Sequence, residues 1–227
     1  MAGISKSFAV VLTVFAVLFV PRSSDAAPEE GVDQLTRTAL SLDRHPDRGA
    51  VLFSRSCARC HGLQGHGDAA QAIPALAGQR FTYLVRQLAD FADAERDGAD
   101  KHRIVARGEL RNPQAWADIA AYLSGVPVVQ FAGAGDDSQA ELGRAIFREQ
   151  CATCHHGDAR GDDDGFVPSL RNQHYSYLAA QLHELAEGRR HNVDENLMRF
   201  LRSFDDQDID ATAVYLSRLQ DPSGDSQ

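Results

Sequence analysis

The chain has 227 residues, 43% of them apolar and 24% charged, with 23 basic and 32 acidic side chains. That length allows two domains of ordinary size. A formal charge of −9 argues against nucleic acid as a partner.

Lys6 precedes an apolar run from Phe8 to Val20, which is followed by Pro21 and by Ser24-Asp25-Ala26. A basic residue, a short apolar stretch and a small-x-small site form a secretory leader, cut after Ala26. The run holds thirteen residues, whereas a membrane span needs ~20. Cleavage removes Lys6, Arg22 and Asp25, a net +1, so −9 becomes −10. The expected location of the mature chain is the periplasm, as a soluble protein. Residues 27 to 43 read as weakly ordered.

From Arg48 to Arg55 a helix places Val51, Leu52 and Phe53 along one stripe. It runs into Cys57-Ala-Arg-Cys60-His61. Further on, Leu142, Ile146 and Phe147 do the same before Cys151-Ala-Thr-Cys154-His155. Both pentapeptides read C-x-x-C-H, the signature of covalent c-type haem attachment. Two thiols at this spacing can add to the two vinyl groups of one haem, and the next residue reaches the iron. The two motifs use all four cysteines of the chain. A zinc site does not require a histidine after each pair. A thioredoxin-like dithiol needs a βαβ setting that is missing here. Two disulfides would leave His61 and His155 unexplained. The reading is two covalent haem c groups, with His61 and His155 as proximal iron ligands.

The chain repeats itself at an offset of 94 residues. Gly49 and Phe53 match Gly143 and Phe147, and Pro74 and Leu76 match Pro168 and Leu170. Gln79, Tyr83, Leu84, Gln87 and Leu88 match Gln173, Tyr177, Leu178, Gln181 and Leu182. Tyr122 and Leu123 match Tyr215 and Leu216 at an offset of 93. Apolar residues recur at helical spacing through Tyr83–Phe91 and Tyr177–Leu185, and again in Trp116–Leu123 and Ile209–Leu219. No run alternates as a strand would. The fold class is all-α, in two tandem domains, each wrapped around one haem. Residues 27–124 form the first domain, 125–137 a linker rich in glycine and proline, and 138–227 the second domain. The tail after Gln220 reads as weakly ordered. A unit of this size has little core of its own, and a buried haem supplies apolar volume.

The order G-x-x-x-F-x-x-x-C-x-x-C-H, P-x-L, Q-x-x-x-Y-L-x-x-Q-L and a closing A-x-Y-L helix resembles the class I cytochromes c. Present twice behind a leader, it is similar to the dihaem cytochrome c4 family. The resemblance implies cytochrome c-like domains placed face to face, with the first and last helices of each crossing. The crossings would set Gly49 and Phe53 against Tyr122, and Gly143 and Phe147 against Tyr215. It also implies that the carbonyls of Pro74 and Pro168 accept from the ring N–H of the proximal histidines. Implied partners are redox proteins: an oxidase, a cytochrome bc complex or a periplasmic dehydrogenase. Membrane association, if any, is peripheral and through those partners.

The chain departs from its family at the distal ligands. Such domains carry a methionine before the last helix, yet this chain has only Met1 and Met198. Met198 is the expected distal ligand of haem two. Its counterpart is Ile104, which cannot ligate iron, and His102 is the chosen ligand for haem one. His66, Lys101 and an open sixth position remain as alternatives.

Gln79, Tyr83, Gln173 and Tyr177 are polar groups among apolar neighbours. They read either as donors to buried haem propionates or as caps on the contact between the domains. Asp162-Asp163-Asp164 and Arg189-Arg190-His191 read as solvated loops, and Trp116 as core. No catalytic dyad stands out. The leading function is an electron carrier without substrate chemistry. The alternative is small-molecule binding or turnover at an open haem one, and a third reading is the electron-accepting subunit of a periplasmic dehydrogenase.

Overall fold

The computed structural model describes residues 31–93, 102–190 and 192–220. The leader reading, Lys101 and His191 lie outside them. The first repeat contains α1 (Val32–Ser41), α2 (Pro46–Ser56), the single turn α3 (Ala58–His61), α4 (Phe81–Ala92) and α5 (Pro113–Gly125). The second contains α6 (Asp137–Ile146), the turn α7 (Ala152–His155), α8 (Tyr175–Ala186), α9 (Glu195–Leu201) and α10 (Asp206–Ser217). No strand is present among the described residues. Each repeat has one isolated bridge, Asp68 with Ile73 and Asp162 with Val167, again 94 apart. No described helix is long and apolar enough to cross a membrane.

Local chemistry sets the helix starts. Pro46 and Pro113 occupy first-turn positions, where a missing N–H costs nothing. Asn112 caps α5 by accepting from the Gln114 N–H. Asp136 with Gln139, and Asp205 with Asp208, form capping boxes at α6 and α10.

In the first repeat α2 crosses α5, and in the second α6 crosses α10. A methyl group at Gly49 would overlap the Asp118 carbonyl, and one at Gly143 the Ala211 carbonyl. Glycine is therefore what lets these backbones approach. Phe53 and Phe147 are fully buried beside the closing tyrosines. Ring centroids are 5.7 Å apart for Phe53–Tyr122 and 5.5 Å for Phe147–Tyr215. Burying each phenylalanine contributes about 1.5–3 kcal/mol.

The repeats differ in their cores. The first packs Leu52, Phe53, Phe81, Leu84, Trp116, Ile119 and Leu123 with α1. Trp116 is 1% exposed, and its indole N–H donates to the Leu110 carbonyl at 2.6 Å. The second core is a small cluster of Phe147, Ala159, Leu178, Ala213 and Leu216. Residues 32–41 correct the expectation of weak order. Val32, Thr36 and Ala39 are buried, and Leu35 and Leu40 pack on the same core. That is an amphipathic stripe at i, i+3, i+4, i+7 and i+8, and the surface beneath it only the folded first repeat supplies.

The first repeat also holds a carboxylate at its helix crossing. The Asp118 side chain is fully buried. It accepts from the His45 backbone N–H at 2.9 Å, the Gln114 amide at 2.9 Å and the Arg48 guanidinium. Leu142 and Ala211 take the places of Arg48 and Asp118 in the second repeat. Burial pushes the Asp118 pKa up, but the three donors outweigh it and hold the carboxyl below its usual range. A depressed folded pKa adds stability above the unfolded value of ~3.9, lost as pH falls through the folded pKa. Asp118→Asn should lower domain-one stability at neutral pH by about 2 kcal/mol. It should also remove part of that domain's acid sensitivity below about pH 4. Thermal melts followed at Trp116, the single tryptophan, check this. An unchanged neutral-pH melt would count against it.

The two repeats meet face to face through equivalent residues. Gln79 accepts from the Ser169 N–H at 2.8 Å and donates to the Ser169 carbonyl at 2.9 Å. Gln173 does the same to Ala75, both bonds at 2.9 Å. Thr82 Oγ1 donates to the Asp163 carbonyl at 2.7 Å, and Ser176 Oγ to the Ala69 carbonyl at 2.6 Å. Each pair maps onto its counterpart at the offset of 94, so the contact follows the self-complementary logic of a two-fold interface. One bond set breaks the symmetry. The Asp163 carboxylate also takes the Thr82 N–H at 3.2 Å and lies 3.5 Å from Arg80. This corrects the reading of 162–164 as merely solvated: Asp163 is an interface residue.

Candidate haem sites

Both cysteine motifs sit on one helical turn that continues from the preceding helix. The Cys57 N–H bonds the Phe53 carbonyl at 2.8 Å, and the His61 N–H bonds the Cys57 carbonyl at 3.1 Å. In the second repeat the run-in is a π-turn, Phe147–Cys151. No disulfide joins the four cysteines, of which Cys57 and Cys151 are half-buried and Cys60 and Cys154 exposed. Burial, then the neighbouring thiol, pushes Cys57 and Cys151 up to about 11. The chain then leaves at positive φ, 77° at Gly62 and 62° at His156. His156 occupies a backbone region that normally belongs to glycine.

The proximal histidines are oriented alike. His61 Nδ1 lies 3.3 Å from the Pro74 carbonyl, and His155 Nδ1 lies 3.1 Å from that of Pro168. A carbonyl only accepts, so the proton is on Nδ1 and Nε2 keeps its lone pair for a metal. These are the acceptors that the resemblance implied. Burial lowers the pKa of both imidazoles, against the opposing pull of the carbonyls. His102 lowers His61 further, and His156 lowers His155.

His102 faces His61, with ring centroids 6.2 Å apart, and stacks on Phe91 at 3.9 Å. The two rings are tilted by 37° to one another, and both would be available to hold an iron placed between them. His66 instead turns toward the Pro127 carbonyl, at 3.4 Å.

Cys151, Cys154 and His155 line a cavity of about 1080 Å³ that reaches the domain interface. Phe166, Leu170, Leu178, Leu182, Leu185, Leu201 and Leu216 make its walls apolar. The Thr212 hydroxyl on its wall is fully buried with no hydrogen-bond partner among the described residues. An apolar chamber of this size beside two thiols and an imidazole with a free Nε2 fits a haem. Leu197 and Leu201 of α9 line it. Met198 is half-buried next to Leu197 and is not part of the lining.

Gln79, Tyr83, Gln173 and Tyr177 all border this cavity. The two glutamines brace the interface, and each retains one amide hydrogen beyond those bonds. Tyr83 OH accepts from Arg190 at 3.2 Å.

Arg190 corrects the reading of 189–191 as a solvated loop. Arg189 is exposed, but Arg190 is 7% exposed and lines the cavity. It is joined there by Asn192, Gln87 and Asp90, with Asp90 fully buried. The one signal for this cluster was the repeated spacing of Gln87 with Asp90 and Gln181 with Glu184. In both pairs the glutamine amide donates to the carboxylate, at 3.1 and 2.6 Å.

Two helical domains, each presenting paired thiols and an imidazole with its metal-side nitrogen free, define a two-haem c-type cytochrome. Residues 46–127 and 140–220 each match the cytochrome c family. Cytochrome c4 of Azotobacter vinelandii is 33% identical over 180 residues, covering 72% of this chain and 84% of that one. The thiosulfate dehydrogenase electron acceptor of Stutzerimonas stutzeri (strain A1501) is 32% identical, covering 75% and 82%. The crystal structure of reduced recombinant cytochrome c4 from Pseudomonas stutzeri superimposes with a TM-score of 0.68. It is 29% identical and covers 78% of this chain and 100% of that chain. The chain belongs to the cytochrome c family, in the two-domain form of the dihaem cytochromes c4. It binds two covalent haem c groups, and its role is electron transfer.

Proposed function

We propose that this protein carries electrons in the periplasm between a dehydrogenase and a respiratory acceptor, entering at haem one and leaving at haem two. Residues 1–26 direct export and are removed. The similarity to a thiosulfate dehydrogenase electron acceptor favours a periplasmic dehydrogenase as donor. Haem supplies one-electron chemistry with little change of shape.

The observation that carries this reading is His102 facing His61 at 6.2 Å. Two imidazoles so placed would hold a haem iron between them, and an iron so held would pass electrons without binding substrate. Phe91 holds the His102 ring by stacking. Haem two takes His155 and Met198. Leu197 lines that cavity, and Met198 follows it by one residue, about 100° around the helix. Leu201 also lines the cavity and lies about 60° from Met198 around the helix, so bringing Met198 in needs α9 to turn by about that angle. Cys57, Cys60, Cys151 and Cys154 form the thioethers, and Tyr83, Tyr177 and the remaining amide hydrogens of Gln79 and Gln173 border the propionates.

Carbon monoxide separates carrier from small-molecule chemistry. The dithionite-reduced protein is expected to show no rapid Soret shift under carbon monoxide, while thiosulfate dehydrogenase plus thiosulfate reduces both haems. A fast shift at one haem would instead favour an open sixth position at haem one.

A further inference from the structure

Arg190 is a buried cation without an anion. The residue is 7% exposed, and the acceptors of its guanidinium are all neutral. Nε donates to Asn192 Oδ1 at 2.9 Å and Nη1 to Gln181 Oε1 at 2.8 Å. Nη2 reaches Tyr83 OH at 3.2 Å and Gln87 Oε1 at 3.3 Å. No carboxylate lies within ion-pair distance among the described residues. Asp90 is close by but already engaged. It takes Arg86 at 2.8 Å, Gln87 at 3.1 Å and Asn192 at 2.6 Å.

Taking a guanidinium out of water costs several kcal/mol unless a charge compensates. Four neutral acceptors use four of its five N–H groups and cancel no charge. Arg190 lines the same cavity as Cys151, Cys154 and His155. The ligand of that cavity brings two carboxylates of its own. Tyr83 and Gln87 belong to α4 of the first domain, so the guanidinium is aimed by both domains at once.

We infer that Arg190 is the cationic half of a carboxylate site, built across the domain interface, that takes a propionate of haem two. The inference rests on the reading of this cavity as the haem-two site. A positive charge held there favours the reduced iron, which carries one positive charge less. Docking of the first domain thereby raises the potential of haem two and steepens the downhill step from haem one.

The test uses the intact dihaem protein. A pyridine haemochrome count first confirms two haems per chain in each variant, and a count of one would overturn the haem-two reading itself. With two haems present, Arg190→Gln should lower the haem-two wave by at least tenfold in equilibrium constant, ~59 mV for one electron. The haem-one wave should move less. Propionate bending modes of haem two in the resonance Raman spectrum should shift as well. Arg190→Lys keeps the charge and loses the fork, so it should restore most of the potential while the Raman shift persists. If Arg190→Gln lowers the melting temperature and leaves both waves and the Raman modes unchanged, Arg190 is only an interface brace. If inorganic phosphate shifts the wild-type haem-two wave and not that of Arg190→Gln, the site holds a solution anion, and the proposal fails.

Discussion

Replacing Cys151 and Cys154 by alanine is expected to unfold the second domain, whereas the same change at Cys57 and Cys60 leaves a folded chain with one haem. The cause is the unequal cores. The first domain buries Trp116, Phe53, Phe81 and Leu123 with an extra helix, α1. The second wraps a small cluster around a cavity of about 1080 Å³. Without haem the apolar walls of that half-open cavity lose their packing partner, a loss of the kind that makes large-to-small core changes strongly destabilising against a typical domain stability of about 5–15 kcal/mol. Both variants should give one haem per chain by pyridine haemochrome. Limited proteolysis should cut residues 138–220 in the Cys151/Cys154 variant and spare 46–125. In the Cys57/Cys60 variant the haem-two Soret band should remain. Equal protease resistance in the two variants would sink the argument.

Redox titration of the intact protein is expected to resolve two waves, with haem two the higher. Met198 is the single methionine of the two haem domains, Met1 being the other in the chain, so at most one iron has His/Met ligation within them. Methionine raises the potential of a haem, and axial ligands shift it over ~0.8 V. A gap of ~59 mV already biases a one-electron exchange tenfold. The near-infrared band of methionine-ligated ferric haem should account for one iron and vanish in Met198→Ala. His102→Ala should move only the lower wave and open that haem to carbon monoxide. Should His102→Ala change neither wave, His102 is a loop residue and haem one is ligated elsewhere or open. A near-infrared band that survives Met198→Ala would mean that α9 does not turn its methionine inward.

Much of this protein is legible in its sequence because the decisive signals are short-range. Paired thiols followed by histidine need only one helical turn to meet one haem, so Cys57–His61 and Cys151–His155 carry their chemistry wherever the fold places them. The repeat at 94 residues, with Gly49 and Phe53 recurring as Gly143 and Phe147, carries the two-domain architecture for the same reason. A glycine and an aromatic one helical turn apart mark a close crossing before the partner helix is known.

Tertiary structure decided what depends on the opposite domain. Gln79 and Gln173 look the same in sequence whether they face a propionate or a peptide. Only the docked pair shows their amides on the backbones of Ser169 and Ala75. Helix α1 lies in a stretch that reads as weakly ordered until the first-domain core supplies the surface beneath Val32 and Ala39. Arg190 sits in a stretch whose charge predicts solvent, because linear composition counts charges and cannot see what covers them. Its burial arises when the loop after α8 folds onto α4, placing Tyr83 and Gln87 of one repeat around a cation of the other.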